Sequence, residues 1–260
     1  MSRFPIERQM EIISLLQNQK TVKIENLSRM MNVSENTIRR DLKLLESKGT
    51  LKRIKGGAML PDSFIQPFQI RNVEFKEEKA LIGKGAAKLI NEGDIIIIDA
   101  GTTTLYLAKN IEKRDITVLT NFVDIASEFY NNNREVKKLI LSGGITRYST
   151  HSLIGPPAES FFAQVNADKL FLGAGGLHLS KGLTNANMEE IPVKRAMINS
   201  AKQIILLADS SKFGKVLLSQ ICPLERLDCI ITDHKVPLQI VDQLENMNIK
   251  VIIAENEHLI

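Results

Sequence analysis

Two stretches of the chain combine residue types at spacings that could do chemistry. Residues 34–42 hold Ser, Asn, Thr and two adjacent arginines, and such side chains pair with base edges or contact phosphates. Residues 99–104 form an Asp-Ala-Gly-Thr-Thr-Thr run after an isoleucine-rich segment. Glycine lets a backbone approach an anion, and a helix N-terminus adds unpaired N–H groups. The two stretches predict a nucleic-acid-reading helix and a phosphate-binding turn.

Apolar periodicity indicates the elements that would position the first stretch. Helical spacing predicts helices over residues 6–18 and 24–31, separated by the extended residue Val22. Ser34 is expected to cap a third helix that continues to about residue 47 and ends at Lys48-Gly49. A basic strand over residues 50–54 follows. Three helices and a basic strand are typical of a winged helix-turn-helix.

Burial of Ile38, Leu42 and Leu45 would leave the polar side of the third helix exposed. The predicted DNA contacts on this helix and on the wing are Ser34, Glu35, Asn36, Thr37, Arg39, Arg40, Lys43, Lys52, Arg53 and Lys55. The alternative is a solvated basic helix. The charge distribution favours the DNA-binding interpretation. Residues 1–57 hold 12 Lys and Arg against 6 Asp and Glu, whereas the remaining residues hold 22 against 24. A basic head on a near-neutral body is typical of a DNA-binding module joined to another domain.

From residue 74 onward, helical patterns alternate with short strands rich in Ile, Val and Leu. The predicted strands are residues 95–99, 116–119, 136–141, 169–172, 204–208, 229–232 and 250–253. The predicted helices are residues 76–91, 103–110, 124–131, 188–201 and 237–247. This alternation predicts an α/β domain with a mostly parallel sheet covered by helices on both faces. We expect a DNA-binding domain at residues 1–58, a linker at 59–73 and a second domain at 74–260.

Several polar or glycine-rich turns follow the predicted strands. Ligands of open α/β sheets collect at the carboxyl ends of the strands, so these turns could share one crevice. The predicted ligand contacts on them are Asp99, Gly101, Thr102, Thr103, Thr104, Asn121, Gly143, Gly144, Gly173, Gly175 and Lys212. A polar loop with Arg147, Tyr148 and His151 could cover the ligand, and an ordinary exposed loop is the alternative.

Other classes of site lack their patterns in this sequence. Neither a P-loop nor a dinucleotide fingerprint occurs in the required context, so we expect no nucleotide and no cofactor. The four histidines have no metal-ligand spacing, and both cysteines are expected to be buried apolar residues. No run of about 18 apolar residues is present, which predicts a cytoplasmic protein.

The chain resembles the DeoR family of bacterial regulators over nearly its full length. The matching DNA-binding motif is Val33-Ser34, residues 37–42, Leu45-Glu46, Gly49, Leu51, Arg53 and Gly56-Gly57-Ala58, with Lys55 where the family usually has His. Matching stretches of the second domain include residues 99–104, 119–121, 142–144, 171–173, 182–184, 194–198 and 208–214. The resemblance implies a sensor domain similar in fold to ribose-5-phosphate isomerase, which binds phosphorylated sugars or related intermediates. It adds Glu189 and Lys194 to the predicted ligand contacts, with a structural role as the open alternative.

The sequence therefore predicts a regulator, most simply a repressor of sugar-metabolism genes that a phosphorylated sugar releases from operator DNA. Twofold operators would require a homo-oligomer, a dimer or a tetramer. An activator of the same architecture is one alternative. Another is a metabolic enzyme with a DNA-binding head, but the turn at residues 173–176 contains no carboxylate for proton transfer, so no catalytic residue is expected.

Overall fold

The computed structural model describes residues 5–19, 21–47, 50–60, 68–132 and 134–255. The chain divides into two compact units, Met1–Arg71 and Asn72–Ile260, called here the head and the body. The division falls inside the predicted linker, of which residues 61–67 lie outside the described residues, as does the predicted cap Lys48-Gly49. In the described ranges, no helix has the length and apolarity needed to cross a bilayer.

The head contains three helices and a small antiparallel sheet. Its elements are α1 Pro5–Gln19, β1 Thr21–Lys23, α2 Ile24–Met31, α3 Glu35–Ser47, β2 Lys52–Ile54 and β3 Gly57–Met59. The sheet order is β1-β3-β2, so the wing is a hairpin where the sequence predicted one strand. A further helix, α4 Phe68–Val73, lies within the predicted linker. Asn32 makes the turn between α2 and α3 with a left-handed backbone, φ 50°.

An apolar core and a buried ion pair stabilise the head. Ile38, Leu42 and Leu45 are buried as the helical spacing predicts. Ile13 and Leu16 of α1 are buried in the same cluster, whereas Ile6 at the start of the helix is exposed. Arg8 of α1 donates to Asp41 of α3, with Nε to Oδ2 at 2.5 Å and Nη2 to Oδ1 at 3.2 Å. The pair fixes α1 against α3, the helix whose exposed side carries the predicted DNA contacts.

The body is an α/β unit whose main sheet has seven strands. Its helices are α5 Lys76–Ala87, α6 Thr102–Ala108, α7 Val123–Asn131, α8 Pro156–Ala163, α9 Ile191–Ser200 and α10 Leu238–Asn246. Its strands are β4 Ile95–Ile98, β5 Thr117–Thr120, β6 Lys138–Leu141, β7 Ile145–Arg147, β8 Ser152–Ile154, β9 Ala167–Gly173, β10 Gly176–His178, β11 Gly182–Asn185, β12 Ala201–Leu207, β13 Ser219–Cys222, β14 Cys229–Asp233 and β15 Lys250–Ala254.

The strand order of the main sheet, β15-β14-β12-β9-β4-β5-β6, creates a crevice at its centre. All six strand pairs are parallel. The chain runs outward from β4 through β5 to β6 and then returns to the other side of β4 as β9. Right-handed crossovers therefore place the helices of the two halves on opposite faces. The order reverses between β4 and β9, which is where parallel sheets bind ligands.

Buried apolar residues fill both faces of this sheet. Ile204, Leu170, Ile97 and Leu119 form one row across four strands and belong to a single buried cluster. On α5, a Cβ added to Gly83 would lie 2.4 Å from the backbone carbon of Tyr106, so this glycine permits the close approach of α5 and α6. The parallel strands and their helices match the sequence prediction in type and position.

The sequence missed the short antiparallel strands and α8. Two sheets, β7-β8 and β10-β11-β13, lie outside the main sheet. Strands of three or four residues span too few positions for a period of two to appear. Helix α8 has eight residues and begins at a Pro-Pro pair, which conceals its periodicity.

The Arg8–Asp41 pair generates a stability prediction. We expect Asp41→Asn to lower the free energy of unfolding of the head by about 3 kcal/mol, because the substitution breaks the buried ion pair between Asp41 and the Arg8 guanidinium. Amide hydrogen exchange of α1 and α3 in the full chain measures this loss. Glu25→Gln is the matched control, since the exposed Arg29–Glu25 pair contributes under about 1 kcal/mol. Equal effects of the two changes would contradict the prediction.

Candidate functional site

The N-terminus of α3 is ordered by the side chain that the sequence predicts as its cap. The hydroxyl of Ser34 accepts the backbone N–H of Thr37 at 3.2 Å, and the two hydroxyl oxygens lie 2.9 Å apart. The Oγ of Ser28 donates to the carbonyl of Val33 at 2.6 Å and fixes the preceding turn. The helix therefore begins at a defined residue, which sets the direction of its polar side chains.

The predicted DNA contacts divide into cations that are held by carboxylates and cations that are not. Arg39 donates to Glu35 at 2.8 Å, within α3. Arg53 on the wing donates from Nε to Glu46 at 2.6 Å, and its backbone N–H donates to the same carboxylate. These bonds hold the pKa of Glu46 below its usual range. Glu46 therefore joins the wing to α3, a role that its exposed helical position does not reveal.

Four other basic side chains of the head are exposed and have no ion pair within the described ranges. They are Arg40, Lys43, Lys52 and Lys55. Asn36 is exposed beside them, and Thr37 is half-buried. Cations outside ion pairs, beside an exposed amide, are donors of the kinds that DNA phosphates and base edges accept.

In the body, the crevice between β4 and β9 contains a buried ion pair. Asp99 follows β4 and is fully buried, and Lys194 on α9 is nearly so. Lys194 Nζ contacts Asp99 Oδ2 and donates to the carbonyl of Gly173 at 3.0 Å. The backbone N–H of Gly173 donates to the same Asp99 oxygen at 2.9 Å. Three predicted ligand contacts from distant parts of the sequence are thus in direct contact.

The second carboxylate oxygen of Asp99 is the chemically distinctive atom of this crevice. Asp99 Oδ1 is buried and has no hydrogen-bond partner among the described residues. Burial raises the pKa of Asp99, while Lys194 and the N–H of Gly173 act against that rise. A buried acceptor without a donor is costly, and a ligand hydroxyl would remove that cost.

The Gly-Thr turn beside Asp99 is held by one of its own threonines and by Asn121 at the end of β5. The hydroxyl of Thr104 bonds to the carbonyls of Asp99 at 2.6 Å and Gly101 at 2.9 Å. The backbone N–H of Ala100 donates to Asn121 Oδ1 at 3.0 Å, and Asn121 Nδ2 donates to the carbonyl of Leu153 at 3.2 Å. Thr104 and Asn121 therefore position the turn.

Glu190 is a residue of this region that sequence reasoning missed. It accepts hydrogen bonds from Thr150 at 3.0 Å, Ser152 at 3.3 Å, Asn185 at 2.7 Å and Arg147 at 3.3 Å. Its charge adds to the rise of the Asp99 pKa, which places it beside the crevice. The predicted contact Glu189 is 70% exposed, whereas the side chain of Glu190 is 14% exposed.

The difference between the two glutamates comes from the local turn. Asn187 Oδ1 accepts the N–H of Glu189 and starts a short 3₁₀ helix, Met188–Glu190, before α9. The sequence predicted a continuous helix from residue 188. The tighter turn changes which of the two adjacent glutamates faces inward. Because the two residues are identical neighbours, the sequence does not indicate which one that is.

Other predicted ligand contacts lie on turns that follow other strands of the body. Lys212 Nζ lies 3.9 Å from Oδ2 of the buried Asp209, at the end of the strand next to β9. Gly175 packs closely, since an added Cβ would lie 2.5 Å from Leu217 Cδ1. Gly143 and Gly144 follow β6, two strands from β4, and both have positive φ. The structure thus brings Asp99, Gly173 and Lys194 into contact and leaves this glycine pair near the β6 edge of the sheet.

Comparison with known proteins agrees with both units. The family model described as the DeoR-like helix-turn-helix domain matches residues 8–64, and that of the DeoR C terminal sensor domain matches residues 74–234. The HTH-type transcriptional regulator GlpR of Haloferax volcanii is 36% identical over 252 residues, 95% of this chain and 97% of that protein. The HTH-type transcriptional repressor GlcR of Bacillus subtilis is 34% identical over 253 residues, 96% and 97%.

Likeness to solved structures is weaker. Ribose 5-phosphate isomerase A from Methanocaldococcus jannaschii superposes with a TM-score of 0.39 at 14% identity, over 53% of this chain and 54% of that one. The eIF2B delta subunit from Chaetomium thermophilum has a TM-score of 0.43 at 15% identity, over 77% and 64%.

The buried pair predicts a pH-dependent stability change. We expect Lys194→Met to lower the free energy of unfolding of the body by about 3 kcal/mol at neutral pH, because Asp99 remains buried without its counter-ion. The pKa of Asp99 then rises further, so the folded chain binds a proton that the unfolded chain lacks. The loss should shrink as the pH falls towards the ordinary carboxyl range. Denaturant unfolding followed by circular dichroism at neutral and acidic pH measures it.

The control for this change removes both charges. Asp99→Asn with Lys194→Met leaves no charge at this buried position, so its deficit should be smaller than that of Lys194→Met at neutral pH and nearly independent of pH. A Lys194→Met deficit that is the same at both pH values would mean that the charge of Asp99 is not the cause.

Proposed function

The chain belongs to the DeoR family of helix-turn-helix transcriptional regulators, and from that premise we propose that it is a repressor of sugar-metabolism genes. In this proposal the head binds operator DNA in the cytoplasm, and a phosphorylated sugar binds the crevice between β4 and β9. The observation that carries the effector site is the buried, unpartnered Asp99 Oδ1 at the point where the strand order reverses. Two copies of the chain act together on a twofold operator.

The exposed side of α3 supports the operator contacts. Arg40 and Asn36 are exposed, and donors of their types read guanine and adenine edges in the major groove. Lys52 and Lys55 on the wing add phosphate contacts, which orient the head without reading sequence. Arg39 and Arg53 are held by Glu35 and Glu46, so we assign them a smaller share of the binding energy than Arg40.

The chemistry of the crevice supports a polyhydroxylated anion as the effector. Asp99 and Glu190 are carboxylates, which accept hydrogen bonds from sugar hydroxyls. Lys212 at the neighbouring strand end supplies a cation for a phosphate. The carboxylates of Asp99 and Glu190 would repel an anion that brings no hydroxyl donors. The effector thus needs both a polyol part and an anionic part.

Relief of repression follows from differential binding. A ligand that binds one arrangement of the bodies more tightly shifts the population towards that arrangement by its difference in affinity. If the operator prefers the other arrangement, effector and operator weaken each other by the same factor. A relative is named HTH-type transcriptional repressor GlcR, which supports repression as the action of the unliganded chain.

Fluorescence-anisotropy binding to the DNA upstream of the chain's own gene tests the proposal. The titration is made at fixed salt, with and without a panel of sugar phosphates and their dephosphorylated forms. Specific binding that one sugar phosphate abolishes is the expected result. Specific binding that a sugar phosphate strengthens would contradict repression with relief, and turnover of a panel compound would favour the enzyme alternative.

Replacement of Arg40 tests the reading helix. We expect Arg40→Ala to weaken specific operator binding by about 10- to 100-fold, because one base or phosphate contact is lost, with a smaller effect on random DNA. Lys52→Ala should weaken both DNAs alike and reduce the slope of log affinity against log salt by about 1. Lys113→Ala is the control, since it removes the same charge from an exposed position of the body. An equal loss with Lys113→Ala would mean that only net charge matters.

Replacement of Lys212 tests the effector site. We expect Lys212→Ala to keep operator affinity and to need at least tenfold more sugar phosphate for release, because a phosphate contact is removed. Anisotropy of the preformed operator complex measures this. Lys215→Ala is matched in type and lies three residues on, at an exposed position. Unchanged release with Lys212→Ala would place the phosphate elsewhere.

A further inference from the structure

The row of apolar residues that is buried across the main sheet becomes exposed at the edge strand β6. The register places Ile140 beside Leu119, which continues the row of Leu170 and Ile97. Those three residues are at most 3% exposed, whereas Ile140 is 36% exposed. On the other face, Leu141 is the register neighbour of the buried Thr120 and is 39% exposed. Both faces of β6 therefore present apolar side chains at the sheet edge.

The backbone of β6 also lacks a partner on its outer side. The N–H groups of Lys138 and Ser142 point to β5, to the carbonyls of Ile116 at 3.4 Å and Thr120 at 2.9 Å. By alternation, the N–H and C=O groups of Leu139 and Leu141 point away from β5. Within the described ranges, no strand pairs with that side. Edge strands are normally protected by charges, prolines or a covering element, and the only charge on β6 is Lys138.

The opposite edge of the same sheet is different. Helices α5 and α10 both pack on β15, and Val251, Ile252 and Ile253 are only partly exposed. Of the body's helices, α7 packs on β6, and its last turn carries Tyr130 with 84% of its surface exposed. The unprotected edge is thus β6.

We propose that β6 pairs antiparallel with β6 of a second copy, so that the two main sheets form one continuous sheet. The twofold axis passes through Ile140, which faces the partner's Ile140. Leu139 and the partner's Leu141 then exchange two backbone hydrogen bonds, as do Leu141 and the partner's Leu139. This centre is set by the structure, because only Leu139 and Leu141 direct backbone groups outward. It rests on the proposed function solely for the need of a second copy.

This register is self-complementary in charge and in shape. Lys138 faces the partner's Ser142, so no lysine faces a lysine. Ile140 occupies a position without cross-strand hydrogen bonds, where side chains approach most closely. The two Ile140 side chains therefore join the buried rows of both sheets. Four strand residues bury less than a stable interface requires, roughly 1,200 Å², and Tyr130 on the adjoining helix and Ile145 after the strand supply further exposed apolar area.

A single cysteine tests the register in the full chain. In Ile140→Cys the two Cα atoms would lie about 4.5 Å apart, a distance that a disulfide spans. Mild oxidation of dilute protein should therefore give a disulfide-linked dimer. Lys138→Cys is the matched control, because its two copies would be offset by four residues, about 14 Å, and should not link. The native Cys222 and Cys229 are buried, and wild-type protein controls for them.

The outcomes separate this inference from the proposed function. No linkage of Ile140→Cys, or equal linkage of both cysteine variants, overturns the register. Ile140→Lys places two ammonium groups face to face and should halve the mass measured by light scattering, with an unchanged circular dichroism spectrum. An unchanged mass overturns the interface. If the wild-type protein binds operator DNA specifically but Ile140→Cys does not form a linked dimer, the proposed function stands and the β6 interface is rejected.

Discussion

The body depends on the buried contact between Asp99 and Lys194. The pair joins the end of β4, the end of β9 and the start of α9 at the point where the strand order reverses. An ion pair in such a place contributes little net stability, because desolvating both charges offsets their attraction. Its value lies in geometry. One oxygen of Asp99 is fixed by an ammonium and a backbone N–H, so the other is left at a defined position without a donor.

A second polar layer surrounds this pair and connects it to the β7-β8 hairpin. Glu190 gathers donors from Arg147, Thr150, Ser152 and Asn185. These bonds fix the hairpin to the turn before α9. Asn121 links the same hairpin to the Gly-Thr turn beside Asp99, because it accepts the N–H of Ala100 and donates to the carbonyl of Leu153. The crevice and the hairpin are therefore one polar network, built from segments that the chain order separates.

Sequence patterns predicted the longer helices and strands of this molecule and failed where an element is too short to show a period. Helix α2 was predicted at its observed bounds, and Ile38, Leu42 and Leu45 are buried as expected. Asp99 and Lys194 were both predicted to contact the ligand, but their contact with each other was not predicted. They are 95 residues apart, and sequence spacing gives no information on contacts between residues so far apart. Glu190 was missed because one 3₁₀ turn decides which neighbour faces inward. The position of α4 within the predicted linker had no signal, since six residues are too few for helical periodicity.

Any coupling between the crevice and the sheet edge has to pass through elements that touch both. The Gly-Thr turn beside Asp99 is bonded to Asn121 at the end of β5, and Asn121 is bonded to Leu153 of β8. Strand β5 is in turn the neighbour of β6. A ligand that moves the turn therefore acts on the strand that carries the proposed second copy. Linkage is reciprocal, so an association that favours one position of this turn must change effector affinity by the same factor. An assembly at β6 would thus make effector affinity depend on protein concentration, whereas a distant assembly surface would leave it unchanged.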